Sequence, residues 1–156
     1  RISMLTDQEK ITNYETMLHI EKVRNYINKI IILLLDRSEK HDQSKLQSPE
    51  VEYFAKYTEK LPHTTFGSDE YNQFKREMQP ALNHHYANNR HHPEHHKNGI
   101  DDMNLLDLLE MIIDWKSSSE IHNDGNIRKS LQINGERFNF SPQLIRIFEN
   151  TIKEIF

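Results

Sequence analysis

The sequence predicts an all-α protein, a single helical bundle of about six helices. Apolar residues recur at helical spacing over three long stretches, at about 16–39, 105–120 and 141–155. Serine or asparagine, which are preferred N-cap residues, stands before several periodic stretches, and proline follows the serine at two of them. A chain of 156 residues is long enough for one core. We therefore expect residues 1–156 to form a single domain.

The first predicted helix spans about residues 16–39. Its apolar stripe consists of Ile20, Val23, Ile27, Ile30, Ile31 and Leu34. His19 lies four residues before Val23, so we expect its side chain at or near the interior. Ser48 and Pro49 suit the N-cap and first position of a second helix. The residues of this second helix that would face inward are Val51, Phe54, Ala55, Thr58 and Leu61.

Ser68 is the predicted N-cap of the next helical stretch. One face of this stretch carries Tyr71, Phe74, Met78, Ala81, Leu82 and His85. Pro80 removes a backbone donor and crowds the preceding turn, so we expect it to kink or divide the helix. On this register His85 faces inward more than His84 does.

Asn104 is the predicted cap of a helix from Leu105 to about Glu120. Asp107, Glu110 and Asp114 share one face of this otherwise apolar helix. Buried carboxylates must be paired or must bind a cation, although a solvated outer face is the alternative.

The C-terminal part is predicted to be structural. Residues 123–125 form a turn, 127–133 a short helix that stops at 134–135, and Ser141 with Pro142 begins a last helix. The inward residues of this last helix are Leu144, Ile145, Phe148, Ile152 and Ile155.

Six of the ten histidines lie within the thirteen residues from His84 to His96. Neutral imidazole is the commonest metal ligand and also transfers protons near pH 7. Several buried histidines in one place need partners for their ring nitrogens, which a metal or an anion would supply. This segment therefore predicts a chemical site, with a solvated polar loop as the alternative.

Composition excludes several classes of protein. The formal net charge of −4 disfavours generic nucleic-acid binding. The chain has no cysteine, so a metal site would use nitrogen and oxygen ligands. The longest apolar run, residues 30–35, is far shorter than a membrane span, and no secretory signal is visible. We therefore expect a soluble cytoplasmic protein without membrane association.

The order of the polar residues resembles the His-Asp (HD) domain superfamily of metal-dependent phosphohydrolases. It runs from a helical histidine through the His41-Asp42 pair and the histidine segment to a late aspartate. The resemblance implies an HD-like bundle whose metal-site core covers about 16–121, with helices at 126–156 packing on it. It also implies a metal site formed by His19, His41, Asp42 and Asp114.

Other roles follow if a metal is bound at this site. The residues expected to bind a second metal or a phosphate are His84, His85, His91 and His92. Those expected to bind substrate or assist catalysis are Lys45, Arg90 and Glu94, with Asp107, Glu110 and Glu50 as further candidates. The superfamily's nucleotidases carry an acidic residue where this chain has Lys45, so their general acid is not transferred to that position.

A narrower resemblance covers about His19 to Trp115. The motif His84-His-Tyr-Ala-Asn-Asn-Arg-His-His-Pro-Glu94 is similar to an uncharacterised family of phages and bacteria. This resemblance implies no settled activity. If the chain is phage-encoded, its compartment is the host cytoplasm.

The implied function is metal-dependent hydrolysis of a nucleotide or another small phosphorylated substrate. One or two ions of Mn, Fe, Co, Ni or Zn suit mixed imidazole and carboxylate ligation. A di-iron oxygenase of the same superfamily and a non-catalytic metal- or partner-binding module are the alternatives. The sequence does not indicate an oligomeric state.

Overall fold

A computed structural model describes residues 4–58, 60, 68–120 and 126–156. It confirms the all-α class, because the described residues form seven α-helices and no strand. The chain divides into two compact units, of which the first ends at His41 and the second begins at Asp42. Each unit is described by itself, and the single domain expected from the sequence stays a prediction.

The first unit contains one long helix, α1, from Asp7 to Lys40. It begins nine residues before the predicted start, because Thr6 and Glu9 form a reciprocal capping box that the apolar pattern does not show. No residue of α1 is buried, since a lone helix has nothing within its unit to pack against. Leu34 of the predicted stripe is half-buried, and the rest of the stripe and His19 are exposed on this helix.

The second unit contains the other six helices. They are α2 (Glu50–Thr58), α3 (Asp69–Glu77), α4 (Gln79–Asn88), α5 (Leu105–Ser119), α6 (Ile127–Arg137) and α7 (Pro142–Ile155). Short 3-10 turns at Gln43–Leu46, Pro93–His95 and Gly99–Asp102 connect them. Helix α4 packs against α2 and α3, while α6 contacts both α5 and α7.

Several predicted helix starts are confirmed. Ser68, Asn104 and Ser141 each accept a hydrogen bond from a backbone N–H in the first turn of their helix. Pro80 does divide its stretch, because α3 ends at Glu77 and α4 begins at Gln79. His85 is 2% exposed and is more deeply buried than His84, as predicted.

The inward face of α2 was predicted wrongly. Helix α2 begins at Glu50, one residue later than expected, and Val51, Ala55 and Thr58 are exposed. The buried residues are Glu50 and Tyr57. Apolar periodicity missed this face because its first member is a carboxylate. Leu61, predicted on the same face, lies outside the described residues, as does the predicted turn at 123–125.

Gly135 does not stop α6, which continues to Arg137. A Cβ atom at Gly135 would lie 3.5 Å from Ile145 Cδ1 and 3.7 Å from Phe140 Cδ2. Both are ordinary contact distances, so the packing around α6 does not require glycine at this position. Ile155 of α7, which was predicted to face inward, is 50% exposed.

The hydrophobic core of this unit lies where α5, α6 and α7 meet. Its buried members are Met111, Ile112, Ile127, Leu131, Phe140, Phe148 and Ile152. Trp115 stacks on Phe138 and Phe140 at the edge of this core, with ring centroids 6.3 and 6.1 Å away. The core holds α5 in place. Two acidic residues of the same helix, Glu110 and Asp114, contact His91 of the histidine segment.

Candidate metal centre

Three segments of the second unit bring the candidate side chains together. Asp42 begins the 3-10 turn before α2, and His85 lies in the last turn of α4. His91 and His92 follow in the connection between α4 and the next 3-10 turn. The four side chains offer ligand atoms that all lie within 4.8 Å of one another. We call Asp42, His85, His91 and His92 the histidine-aspartate cluster.

The carboxylate of Asp42 lies at the centre of this cluster. Its Oδ1 atom is 3.4 Å from His85 Nε2 and 3.5 Å from His91 Nε2. The Nε2 atoms of His85 and His92 are 2.9 Å apart. His85 and His91 are 2% and 1% exposed, so bulk water is excluded from most of the cluster.

Asp42 is held in an uncommon backbone conformation. Its φ angle of 54° lies in the left-handed region, which aspartate and asparagine tolerate better than most residues. The Nζ atom of Lys45 donates to Asp42 Oδ2 at 2.6 Å. Oδ2 is therefore turned towards the lysine, while Oδ1 is turned towards the histidines.

Glu50 lies behind His85 and has no exposed surface. Its Oε2 atom is 2.9 Å from His85 Nδ1, and its Oε1 atom is 2.7 Å from His84 Nδ1. Burial raises the pKa of Glu50, but hydrogen bonds from His84, Ser44 and His85 outweigh it and leave the pKa below its usual value. Glu50 is therefore an ionised, hydrogen-bonded carboxylate.

Two carboxylates of α5 lie beside His91. Glu110 Oε1 is 3.2 Å from His91 Nδ1, and Asp114 Oδ2 is 3.8 Å from His91 Nε2. Residues 110 and 114 are one helical turn apart, so both reach the same imidazole. The acidic stripe predicted on this helix is thus turned towards the histidine segment.

Two histidines of the cluster, His85 and His92, have pKa values that their surroundings lower. Burial lowers the pKa of His92 to about 3, helped by the neighbouring His91 and His85. Burial also lowers the pKa of His85, although Asp42 opposes the shift. A neutral imidazole has a lone pair for a metal, so these rings need lose no proton to bind one at pH 7.

The cluster could hold a metal ion. A tetrahedral ion with bonds of about 2.1 Å places its ligand atoms about 3.4 Å apart. The measured separations of 2.9, 3.4 and 3.5 Å between cluster atoms lie around this value. Asp114 also fits, because its carboxylate lies within 4.8 Å of the ligand atoms of Asp42 and His91.

Other predicted site residues have different contacts. Arg90 binds Asp107 through Nε and Nη2, at 3.3 and 3.1 Å. Asp107 also accepts from the backbone N–H of Asn104, so it caps α5 instead of joining the cluster. Glu94 pairs with Arg137 at 2.7 Å.

The structure does not decide the roles of two predicted ligands. His19 and His41 belong to the first unit, in which His41 follows the last residue of α1. Their part in a metal centre stays a prediction. His84, by contrast, is in the second unit and contacts Glu50 instead of Asp42.

Sequence reasoning missed Ser44 and Asn89. Asn89 is 6% exposed, and its Nδ2 atom donates to Ser44 Oγ and to the backbone oxygen of His85, each at 2.8 Å. It thereby ties the end of α4 to the turn that carries Asp42. Its spacing of four residues from His85 is the one signal that could have indicated this role.

Two hydrogen bonds fix the rest of the histidine segment. His95 Nδ1 contacts the backbone oxygen of Tyr86 at 2.7 Å, and His96 Nε2 contacts that of Arg90 at 2.8 Å. These two contacts therefore stabilise the backbone conformation around His91 and His92.

Among the described helices, none has a stretch sufficiently long and apolar to lie across a lipid bilayer. Searches of curated proteins and of solved structures find no match to the chain. Residues 8–154 match a family of unknown function, DUF5662. Because this match covers nearly the whole sequence, the chain belongs to the family DUF5662.

Proposed function

We propose that this protein is a metal-dependent phosphohydrolase that cleaves a nucleotide or a similar small phosphoester. The observation that supports this most strongly is the placement of Asp42 Oδ1 within 3.5 Å of the Nε2 atoms of both His85 and His91. The resemblance of the sequence to HD-domain phosphohydrolases supplies the class of reaction.

The donor set suits a transition metal. Three imidazoles and a carboxylate favour Mn, Fe, Co, Ni or Zn over magnesium, which prefers oxygen ligands and water. Asp42, His85, His91 and His92 would hold the ion, with Asp114 as a further ligand. A bound ion of this kind lowers the pKa of a coordinated water and polarises a phosphoryl oxygen.

Lys45 is the cation best placed to bind the substrate phosphate. Its side chain is 39% exposed, and its ammonium group already lies against Asp42 at the edge of the cluster. An ammonium group has three donors, so it can bind Asp42 and a phosphate oxygen together. Arg90 is less suitable, because its Nε and Nη2 atoms already donate to Asp107.

His84 is the side chain that we expect to protonate the leaving oxygen. Glu50 fixes its Nδ1 atom at 2.7 Å, and the side chain is 38% exposed. The ring can therefore transfer a proton through Nε2 without leaving its position. Glu94, the other candidate from the sequence, is bound to Arg137.

Elemental analysis of the purified protein, followed by assays on a broad panel of nucleotides and phosphomonoesters, tests this function. We expect a transition metal at one or two ions per chain and phosphate release that stops when a chelator removes the metal. Metal without turnover of any panel member would contradict the proposal. A pair of irons with an oxygen-sensitive absorption would instead indicate an oxygenase.

Substitution of Lys45 by methionine should raise KM for the phosphorylated substrate by about tenfold, because a charged hydrogen bond to phosphate is lost. The metal content should not change. Steady-state kinetics at saturating metal measures the effect. The matched control is Lys97→Met, at an exposed lysine directly after the histidine segment. An unchanged KM would remove Lys45 from the substrate site.

A further inference from the structure

Two glutamates outside the cluster each contact one of its histidines on the ring nitrogen that faces away from Asp42. Glu50 does so from α2 to His85, and Glu110 does so from α5 to His91. In both cases the contact is to Nδ1, at 2.9 and 3.2 Å. The same pairing therefore occurs twice, from two different helices.

The direction of the hydrogen bond at His85 follows from the chemistry of Glu50. An ionised carboxylate only accepts, so His85 Nδ1 must carry the proton and donate it. The Nδ2 atom of Asn89 also lies 3.1 Å from this nitrogen. Its two hydrogens, however, have closer acceptors in Ser44 Oγ and the backbone oxygen of His85, both at 2.8 Å.

A neutral imidazole with its proton on Nδ1 has a lone pair on Nε2. At His85 this lone pair faces Asp42 Oδ1 and His92 Nε2, at 3.4 and 2.9 Å. At His91 it faces Asp42 Oδ1 and Asp114 Oδ2, at 3.5 and 3.8 Å. Electron-rich atoms thus converge on one place, and a cation is the group that such an arrangement binds.

We propose that Glu50 and Glu110 are positioning residues for the metal: each fixes its histidine as the Nδ1–H tautomer, so that His85 and His91 both coordinate one transition-metal ion through Nε2. The inference rests on the metal-binding part of the proposed function and not on the reaction. Carboxylates that orient metal-bound histidines in this way commonly change metal affinity by about 10- to 100-fold.

Glu50 also contacts a second histidine, His84. Its other oxygen binds His84, so the same carboxylate connects the ring beside the metal to the half-exposed ring of His84. A glutamine at position 50 keeps the shape but offers one acceptor oxygen, so it cannot accept from both imidazoles. Glu50→Gln therefore removes the negative charge and one of the two acceptors without opening a cavity, so at most one of the two rings keeps its Nδ1–H partner.

The test measures zinc and cobalt affinity of Glu50→Gln and Glu110→Gln by competition with a chelator. We expect each variant to bind about 10- to 100-fold more weakly than the parent. Glu52→Gln, at an exposed position on the same helix as Glu50, is the matched control and should bind as the parent does. Thermal unfolding of the metal-free proteins verifies that the variants fold. If Glu50→Gln does not fold, Glu110→Gln tests the inference independently.

A second readout separates positioning from a purely structural role. Long-range 15N–1H correlation spectra of the metal-free protein distinguish the two histidine tautomers. We expect Nδ1–H for His85 and His91 in the parent, and an altered tautomer at His84 or His85 in Glu50→Gln. An Nε2–H tautomer at both rings in the parent would overturn the inference.

The outcomes also separate this inference from the proposed function. Parent-like metal affinity in both variants would overturn the positioning role and leave the hydrolase proposal standing. Weakened affinity in a protein that hydrolyses no phosphoester would support the positioning role and contradict the hydrolase. A parent protein that binds neither zinc nor cobalt would overturn both.

Discussion

Replacing Asp42 with asparagine is expected to weaken metal binding by more than about 100-fold, which exceeds the usual effect of losing an outer carboxylate. Asp42 Oδ1 lies 3.4 Å from His85 Nε2 and 3.5 Å from His91 Nε2, so one oxygen contacts both rings. An amide oxygen in its place carries no charge to balance the cation. Hydrolysis, if the proposed function is correct, should fall to the background level.

Asparagine is the appropriate substitution because of the backbone at position 42. The φ angle of 54° is tolerated by asparagine as well as by aspartate, so the change removes the charge without straining the chain. Zinc competition with a chelator measures the loss. Asp101→Asn, at an exposed carboxylate, is the matched control. Zinc affinity equal to that of the parent would show that Asp42 is not a ligand.

Replacing Arg90 with methionine is expected to reduce the free energy of unfolding by about 3 kcal/mol, the lower end for breaking a buried ion pair. Asp107 has no exposed surface and would lose its cation, whereas Arg90 is 54% exposed, which limits the cost. Methionine retains most of the length of the arginine side chain. The melting temperature should fall by about 6–12 °C for a chain of this size.

Denaturant unfolding and calorimetry measure this effect. Lys116→Met is the control, because it breaks a pair with the exposed Glu120 and should cost less than about 1 kcal/mol. If both variants lose the same free energy of unfolding, Asp107 must bind another partner when Arg90 is absent. We also expect weaker zinc binding by Arg90→Met, because Arg90 directly precedes His91 in the chain.

Much of the fold follows from local sequence signals. The caps at Ser68, Asn104 and Ser141 and the break before Pro80 depend on hydrogen bonds and clashes between residues that are close in the chain. Such interactions can be deduced without tertiary information. The continuation of α6 through Gly135 could not be deduced in this way, because glycine ends many helices and is also tolerated inside a continuous one.

The candidate site, like the fold, can be predicted from the sequence only in part. The histidine segment and the acidic stripe of α5 are visible in the sequence, and the inward turn of His85 follows from helical spacing. From the sequence, Asp114 is favoured over Asp107 as a metal ligand, because its flanking residues are more apolar and the resemblance implies it. The structure places Asp107 against Arg90 and Asp114 beside His91, which depends on contacts between separate elements.

By itself, the sequence determined that this protein is all-α and that six of its ten histidines lie in one segment, because helical periodicity and residue type are local properties. Only the tertiary structure decided which groups meet. Glu50 and His84 are 34 residues apart, and Ser44 and Asn89 are 45 apart. Buried polar groups must find partners wherever the fold brings them, and no periodic pattern records that pairing.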